Sequence, residues 1–211
     1  MGDQDFDAVL NAELGEGSPY RFTAHYRSHG YMLVMLDHET RGVVVHPPDE
    51  CGNRCEFWWK DRQQARGCTA EVAAIAGAAR LWAEGAGLLE LSTRYPFVKF
   101  SDLQLAYEQG NAREFQWRTV LQDAEGLFAN YSELVRLASE NPTLRRLFPQ
   151  VGHRFVLSEN EDSTDVLFSV FMIRPDWYAI YAKDGDGFEV EGEARKIVEF
   201  LTSAVRARGV F

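Results

Sequence analysis

The stretch Val72-Ala73-Ala74-Ile75-Ala76-Gly77-Ala78-Ala79-Arg80-Leu81-Trp82 decides the fold class. Val72, Ile75, Ala76, Ala79 and Trp82 recur at helical spacing, so a single apolar stripe must be buried against something else. Thr69 reads as the N-cap, Cys68 falls at the predicted helix start, and Gly85-Ala86-Gly87 ends the element. Further helices follow. Leu88, Leu89 and Leu91 sit ahead of Tyr95-Pro96, and Ser101 with Gln104 reads as a capping box. Phe115, Trp117, Val120 and Leu121 mark another helix, and Tyr131, Leu134 and Val135 one more. Residues 68–147 are therefore expected to form a helical segment that packs on sheets to either side.

On both flanks the period drops to two. Before the helices, Tyr20, Phe22, Ala24 and Tyr26 alternate with polar residues. Tyr31–Leu36, Val43–Val45 and Phe57–Trp59 supply further strands, and Pro47-Pro48 is expected to end ladder pairing. After the helices, Phe155 and Leu157, then Val166–Ile173, Trp177–Ala182 and Phe188–Val190 repeat the pattern. Ser28-His29-Gly30 and Asp184-Gly185-Asp186-Gly187 read as turns, and Glu159–Asp165 as an acidic surface loop. Ala194, Ile197, Val198, Leu201 and Val205 form a last amphipathic helix. The fold class is α+β: two antiparallel sheets, each followed by a helix, joined by a helical middle. The divisions are 1–67, a sheet with a short leading helix, then 68–147, then 148–211, a sheet with a terminal helix. Residues 19–84 and 151–208 echo one another in architecture.

A chain of 211 residues with 45% hydrophobic and 13% aromatic residues can build a substantial core. Its net charge of −10 argues against nucleic acid and anionic membrane surfaces, since both attract lysines and arginines. No apolar run spans a membrane and no signal segment opens the chain, so a cytoplasmic location is expected. Three cysteines do not suggest a disulfide framework. A peptide or protein partner fits this charge best, and Trp58, Trp59 and Trp177 are compatible with association to a second copy.

Three clusters could carry chemistry. His25, His29, His46, Cys51 and Cys55 could gather at one sheet edge, where imidazole and thiolate would suit zinc, the one cofactor candidate. Cys68 at a helix N-terminus would favour a thiolate, although burial at a strand–helix junction explains it as well. Arg145, Arg146, His153 and Arg154 lie within ten residues of an otherwise acidic chain. There, His153 could act as a base and Arg154 or Arg146 as a carboxylate or oxyanion clamp. Alternatively, the arginines pair with Glu133 or Glu140. For peptide binding, the strand carrying Tyr20, Phe22 and Tyr26 could accept an extended chain at its edge, with Arg145 as a further contact.

Ala79-Arg80-Leu81-Trp82, Leu88-Leu89-Glu90-Leu91, Tyr95-Pro96-Phe97-Val98 and Ala106-Tyr107-Glu108-Gln109-Gly110 are distinctive in order and spacing. So are Pro142-Thr143-Leu144-Arg145, Leu147-Phe148-Pro149 and Gly152-His153-Arg154-Phe155. Together, over about residues 68–158, they resemble a bacterial family of natural product biosynthesis proteins. The resemblance implies an accessory, peptide-binding role in a pathway for small molecules or lanthipeptide-like ribosomal peptides, and it assigns no reaction. Gln150-Val151-Gly152 departs from the family pattern. A tailoring enzyme for bridge formation or nucleophile addition, and an immunity-type protein binding a basic toxin, are the alternatives.

Overall fold

The computed structural model describes residues 6–26, 32–160, 166–181 and 188–209. The Ser28–Gly30 turn with His29, the 161–165 part of the acidic loop and the Asp184–Gly187 turn lie outside them. The chain divides into two units, Met1–Gly110 and Asn111–Phe211. The helical middle is thus shared out, its first three helices in one unit and the rest in the other.

The first unit opens with α1 (Phe6–Leu14). A meander follows: β1 (Thr23–Tyr26), β2 (Met32–His38), β3 (Arg41–Asp49), β4 (Gly52–Trp59) and β5 (Arg62–Thr69). Next come α2 (Val72–Ala83), α3 (Leu88–Arg94), the two-residue β6 (Val98–Lys99) and α4 (Asp102–Glu108). The sheet order is β1-β2-β3-β4-β5-β6, antiparallel throughout. Strand alternation sends Val34, Leu36, Val43, Val45, Cys55, Phe57 and Ala65 to one face. There they meet Ile75, Ala76, Ala79 and Trp82 of α2, the stripe visible in the sequence. The Trp82 indole donates to the Trp58 carbonyl at 3.0 Å and pins the helix to β4.

Arg41 closes the far end of α2. Its guanidinium donates to the carbonyls of Trp82 (3.1 Å) and Ala86 (2.6 Å) and lies 4.1 Å from the Trp82 ring. Burial lowers its pKa, and Glu108 nearby acts in the opposite direction. Positive charge at a helix C-terminus complements the macrodipole. Asn11 brackets the Phe22 backbone, donating to its carbonyl at 2.9 Å and accepting its N–H at 2.8 Å, so α1 holds the entry to β1.

Several expectations change here. Cys68 and Thr69 belong to β5 and not to a helix; α2 begins at Val72 with Glu71 as N-cap. The sequence Arg62-Gln-Gln-Ala-Arg-Gly-Cys-Thr69 has too few apolar residues to read as a strand, and only Ala65 reaches the core cluster. Pro47 and Pro48 do not end β3. Pairing with β4 resumes at Pro48↔Asn53 after a bulge. Strand β2 no longer pairs with β3 beyond Val45, so the prolines sit where one edge of β3 is open and a missing N–H is tolerated. The capping box holds: Ser101 Oγ accepts from Gln104 N at 3.2 Å, and Ser101 N donates to Gln104 Oε1 at 2.6 Å.

The second unit carries α5 (Ala112–Glu125), a 3-10 turn at Ala129–Tyr131, α6 (Ser132–Glu140) and a 3-10 turn at Leu144–Arg146. Five strands form the second sheet: β7 (Phe148–Val151), β8 (Phe155–Ser158), β9 (Val166–Arg174), β10 (Trp177–Tyr181) and β11 (Phe188–Gly192). The closing helix is α7 (Ala194–Arg208). The order β11-β10-β9-β8-β7 is again an antiparallel meander. Trp117, Leu134, Phe155, Phe168, Tyr178, Ile197 and Leu201 fill its core. Each unit is thus a five-strand meander followed by a helix, α2 in one and α7 in the other. Among the described residues, no helix is long and apolar enough to cross a membrane.

Candidate functional site: an acidic hollow on the first sheet

The face of the first sheet opposite α2 carries Met35 and Asp37 of β2, Gly42 and Val44 of β3, and Trp58 of β4. Pairing sets Met35 beside Val44, Asp37 beside Gly42, and Gly42 beside Trp58. Two hairpin turns close the end of this face. Glu39-Thr40 joins the pair His38↔Arg41, and Lys60-Asp61 joins Trp59↔Arg62. Glu39, Lys60 and Asp61 all take left-handed backbone angles (φ 52°, 50° and 61°). Two-residue hairpins demand such angles, yet glutamate and lysine adopt them at a cost of about 1 kcal/mol each. The Lys60 N–H donates to the Thr40 carbonyl at 2.8 Å and ties the two turns together.

Between the turns and the strand ends lies a hollow of about 420 Å³. It is lined by the acids Asp37, Glu39 and Asp61, by the bases Arg41 and Lys60, and by Trp58, Met35 and Val44 as its apolar part. Gly42 keeps it open. A Cβ there would stand 2.9 Å from Asp37 Oδ1 and 3.9 Å from the Trp58 Cβ, in the space between acid and indole. Of the two bases, the Arg41 guanidinium is engaged by the Trp82 and Ala86 carbonyls, and the Lys60 ammonium lies 4.9 Å from the Trp59 ring centroid. Among the described residues, none of the three carboxylates takes part in an ion pair. Clustered negative charge beside an indole suits a cationic group, through Coulomb attraction and a cation–π contact.

The residues proposed from sequence fall elsewhere. His25 shares a 3.0 Å hydrogen bond with Thr23 Oγ1. His46 lies between Glu56 (Nε2 to Oε1, 3.0 Å) and Arg54 (Nη2 to Nδ1, 2.9 Å). Cys51 is disulfide-bonded to Cys68, and Cys55 is buried in the core with its thiol donating to the Asn53 carbonyl at 3.7 Å. Burial pushes the Cys55 thiol up to about 12, with Glu56 adding to the effect. Cys51 and Cys55 therefore cannot form one ligand pair: the first is committed to a bond and the second faces the opposite side of the sheet from His46. The expectation that the cysteines form no disulfide is likewise corrected, with two of the three joined. His29 lies outside the described residues.

Of the peptide-binding candidates, Phe22 is core and Tyr20 packs edge-on against His38 with centroids 4.9 Å apart. Tyr26 ends β1, which is indeed the edge strand. Arg145 is tied to Glu114 and donates to the Ser139 carbonyl at 3.2 Å, a brace between α5 and the end of α6.

His153 and Arg154 do come together. With Gln150, Val156 and Phe171 they line a shallow hollow of about 570 Å³ on the second sheet, which Arg146 does not line. The Arg154 guanidinium stands 5.9 Å from the Phe171 ring centroid. Tyr131 fixes this turn by donating to the His153 carbonyl (3.0 Å) and accepting the Met172 N–H (3.1 Å).

Sequence reasoning missed the acidic hollow because it missed β5. Without that strand, Lys60-Asp61 is not a hairpin turn, and nothing sets it beside Glu39-Thr40. The usable signal was alternation: with Leu36 inward, Asp37 must face outward, across from Gly42.

Residues 111–207 match a protein family of unknown function (DUF6193). No curated protein and no solved structure matches the chain. The second-sheet hollow lies within the matched residues, and the acidic hollow lies outside them.

Proposed function

We propose that the protein binds peptides and takes a lysine or arginine side chain of an extended basic segment into the Asp37–Trp58 hollow. What carries this reading is one hollow lined by Trp58 and by three carboxylates that, among the described residues, take part in no ion pair, with Gly42 where a side chain would fill the space beside Asp37. The net charge of −10 would draw a basic partner from a distance, and the free edge of β1 ends at Thr23, paired with Met35 on the hollow's wall. An accessory role in a specialised-metabolite pathway, presenting a precursor peptide to other enzymes, accords with this chemistry. A folded basic partner, as for an immunity-type protein, would use the same charges.

The test is isothermal titration calorimetry with short extended peptides carrying lysine or arginine, each matched to a norleucine or citrulline isostere. The cationic peptides should bind and weaken as salt rises, while the isosteres give no heat. Equal heats from the isosteres would remove the basis of the proposal.

A second reading rests on His153 and Arg154 sharing one hollow with Gln150. In it, the protein is a tailoring enzyme in which Arg154 holds a carboxylate and His153 moves a proton. A His153→Ala variant that forms product at the wild-type rate would dispose of it.

A further inference from the structure

At the end of the first sheet remote from the acidic hollow, the β3–β4 turn is clasped to the end of β5. Gly52 takes φ 106°, and a Cβ on it would stand 2.6 Å from the Thr69 carbonyl carbon, so the turn is pressed onto β5. Asn53 Nδ2 donates to the Thr69 carbonyl at 3.4 Å. Cys51 joins Cys68 across this contact with their Cα atoms 6.1 Å apart. Asp49 stands beside them, its Oδ1 accepting the Cys51 N–H at 2.9 Å. One ligand atom from each of Asp49, Cys51 and Cys68 falls within 4.8 Å of the others. Cys51 and Asp49 are exposed and Cys68 is half-buried, so a reductant can reach the bond.

We propose that, when reduced, Cys51 and Cys68 join Asp49 to form a site for a thiophilic divalent cation such as zinc, so that one clasp is closed by a disulfide or by a metal ion. Two thiolates and a carboxylate leave the fourth tetrahedral position to water. With zinc–sulfur bonds of about 2.3 Å, the two sulfurs must stand about 3.8 Å apart. Rotation of the two side chains reaches that separation without moving backbones whose Cα atoms are 6.1 Å apart. In the opening step, a dithiol reductant supplies two electrons and two protons and leaves as its own disulfide. Zinc then enters as the two thiol protons leave, so binding strengthens with rising pH through the thiol range. Asp49 keeps its position in either state through its bond to the Cys51 N–H. This site shares no residue with the acidic hollow, so the two proposals stand or fall separately.

The experiment is titration of the full chain with zinc and with cobalt. One sample is reduced with a dithiol and desalted anaerobically, and the other is left oxidised. The reduced chain should take up about one equivalent of zinc and give a cobalt–thiolate charge-transfer band, while the oxidised chain does neither. Cys51→Ser and Cys68→Ser should abolish the band, and Cys55→Ala should retain it. Asp49→Asn should weaken zinc binding about tenfold or more, at least the scale of an outer-sphere partner. Circular dichroism of each variant separates lost ligands from lost folding. No uptake by the reduced chain, or equal uptake by the two serine variants, would overturn the site. An unchanged affinity in Asp49→Asn would overturn the carboxylate's part in it.

Discussion

Breaking the Cys51–Cys68 bond should destabilise the protein by an amount set by the length of the loop it closes. The bond closes a loop of 17 residues in the unfolded chain. A closed loop of that size removes about 10.5 cal/mol/K of entropy, or about 3 kcal/mol at 25 °C. Spread over a cooperative unit of this size, the loss should lower the melting temperature by about 10 °C. The assay is thermal unfolding followed by circular dichroism, oxidised against reduced, with a metal chelator in both samples so that no ion replaces the disulfide. A Cys51→Ala/Cys68→Ala variant should melt with the reduced chain and ignore reductant. Thiol titration of the oxidised chain in denaturant should find one thiol, Cys55. Three titratable thiols, or coincident melting of oxidised and reduced chains, would refute the clasp.

Stability should also fall between about pH 9 and pH 12. The Cys55 thiol is raised from its ordinary value of 9.0 to about 12, and burial with Asp176 nearby raises the Tyr178 phenol from 10.0 to about 12. The unfolded chain therefore releases these protons first, and the stability held below pH 9 is lost as pH rises through the folded values. Urea unfolding at pH 8 and pH 10.5 measures it, and Cys55→Ala should flatten the slope. Gly67→Ala should destabilise by about 1–3 kcal/mol, because its Cβ would stand 2.7 Å from the Phe97 ring and 2.8 Å from the Phe97 carbonyl oxygen. Unchanged urea stability would show that β5 can yield there. Tyr131→Phe should cost about 1–3 kcal/mol by leaving the Met172 N–H and the His153 carbonyl without their shared partner, read by the same urea midpoint.

The architecture was legible wherever side chains alternate strongly. The helical stripe from Val72 to Trp82, the valines of β3 and the Ser101–Gln104 cap all announce their elements through apolar period or paired polar groups. Strand β5 was not legible, because only Ala65 reaches the core and its neighbours are polar or charged. It forms because β4 and β6 flank it and because Gly67 lets Phe97 approach its backbone. Missing β5 had consequences at both ends of the sheet. At one end it hid the Lys60-Asp61 turn and with it the acidic hollow. At the other it moved Cys68 into a helix and hid the pairing with Cys51. The histidines and cysteines drew attention by type, but alternation sends His46 and Cys55 to opposite faces. His153 and Arg154 were legible as a pair because they are adjacent, whereas the brace that Arg145 makes to Glu114 and Ser139 spans elements that no local pattern links.

The most direct measurement is the affinity of a fluorescent, lysine-containing extended peptide for the wild-type chain and for Gly42→Leu, by anisotropy at low salt. Leucine at 42 would project between Asp37 and Trp58 while removing no charge and no buried contact. If the hollow takes the cationic side chain, affinity falls about tenfold or more, the equivalent of about 1.4 kcal/mol, with the melting temperature little changed. Equal binding by the filled variant would contradict the account, because the carboxylates would then act only as diffuse surface charge.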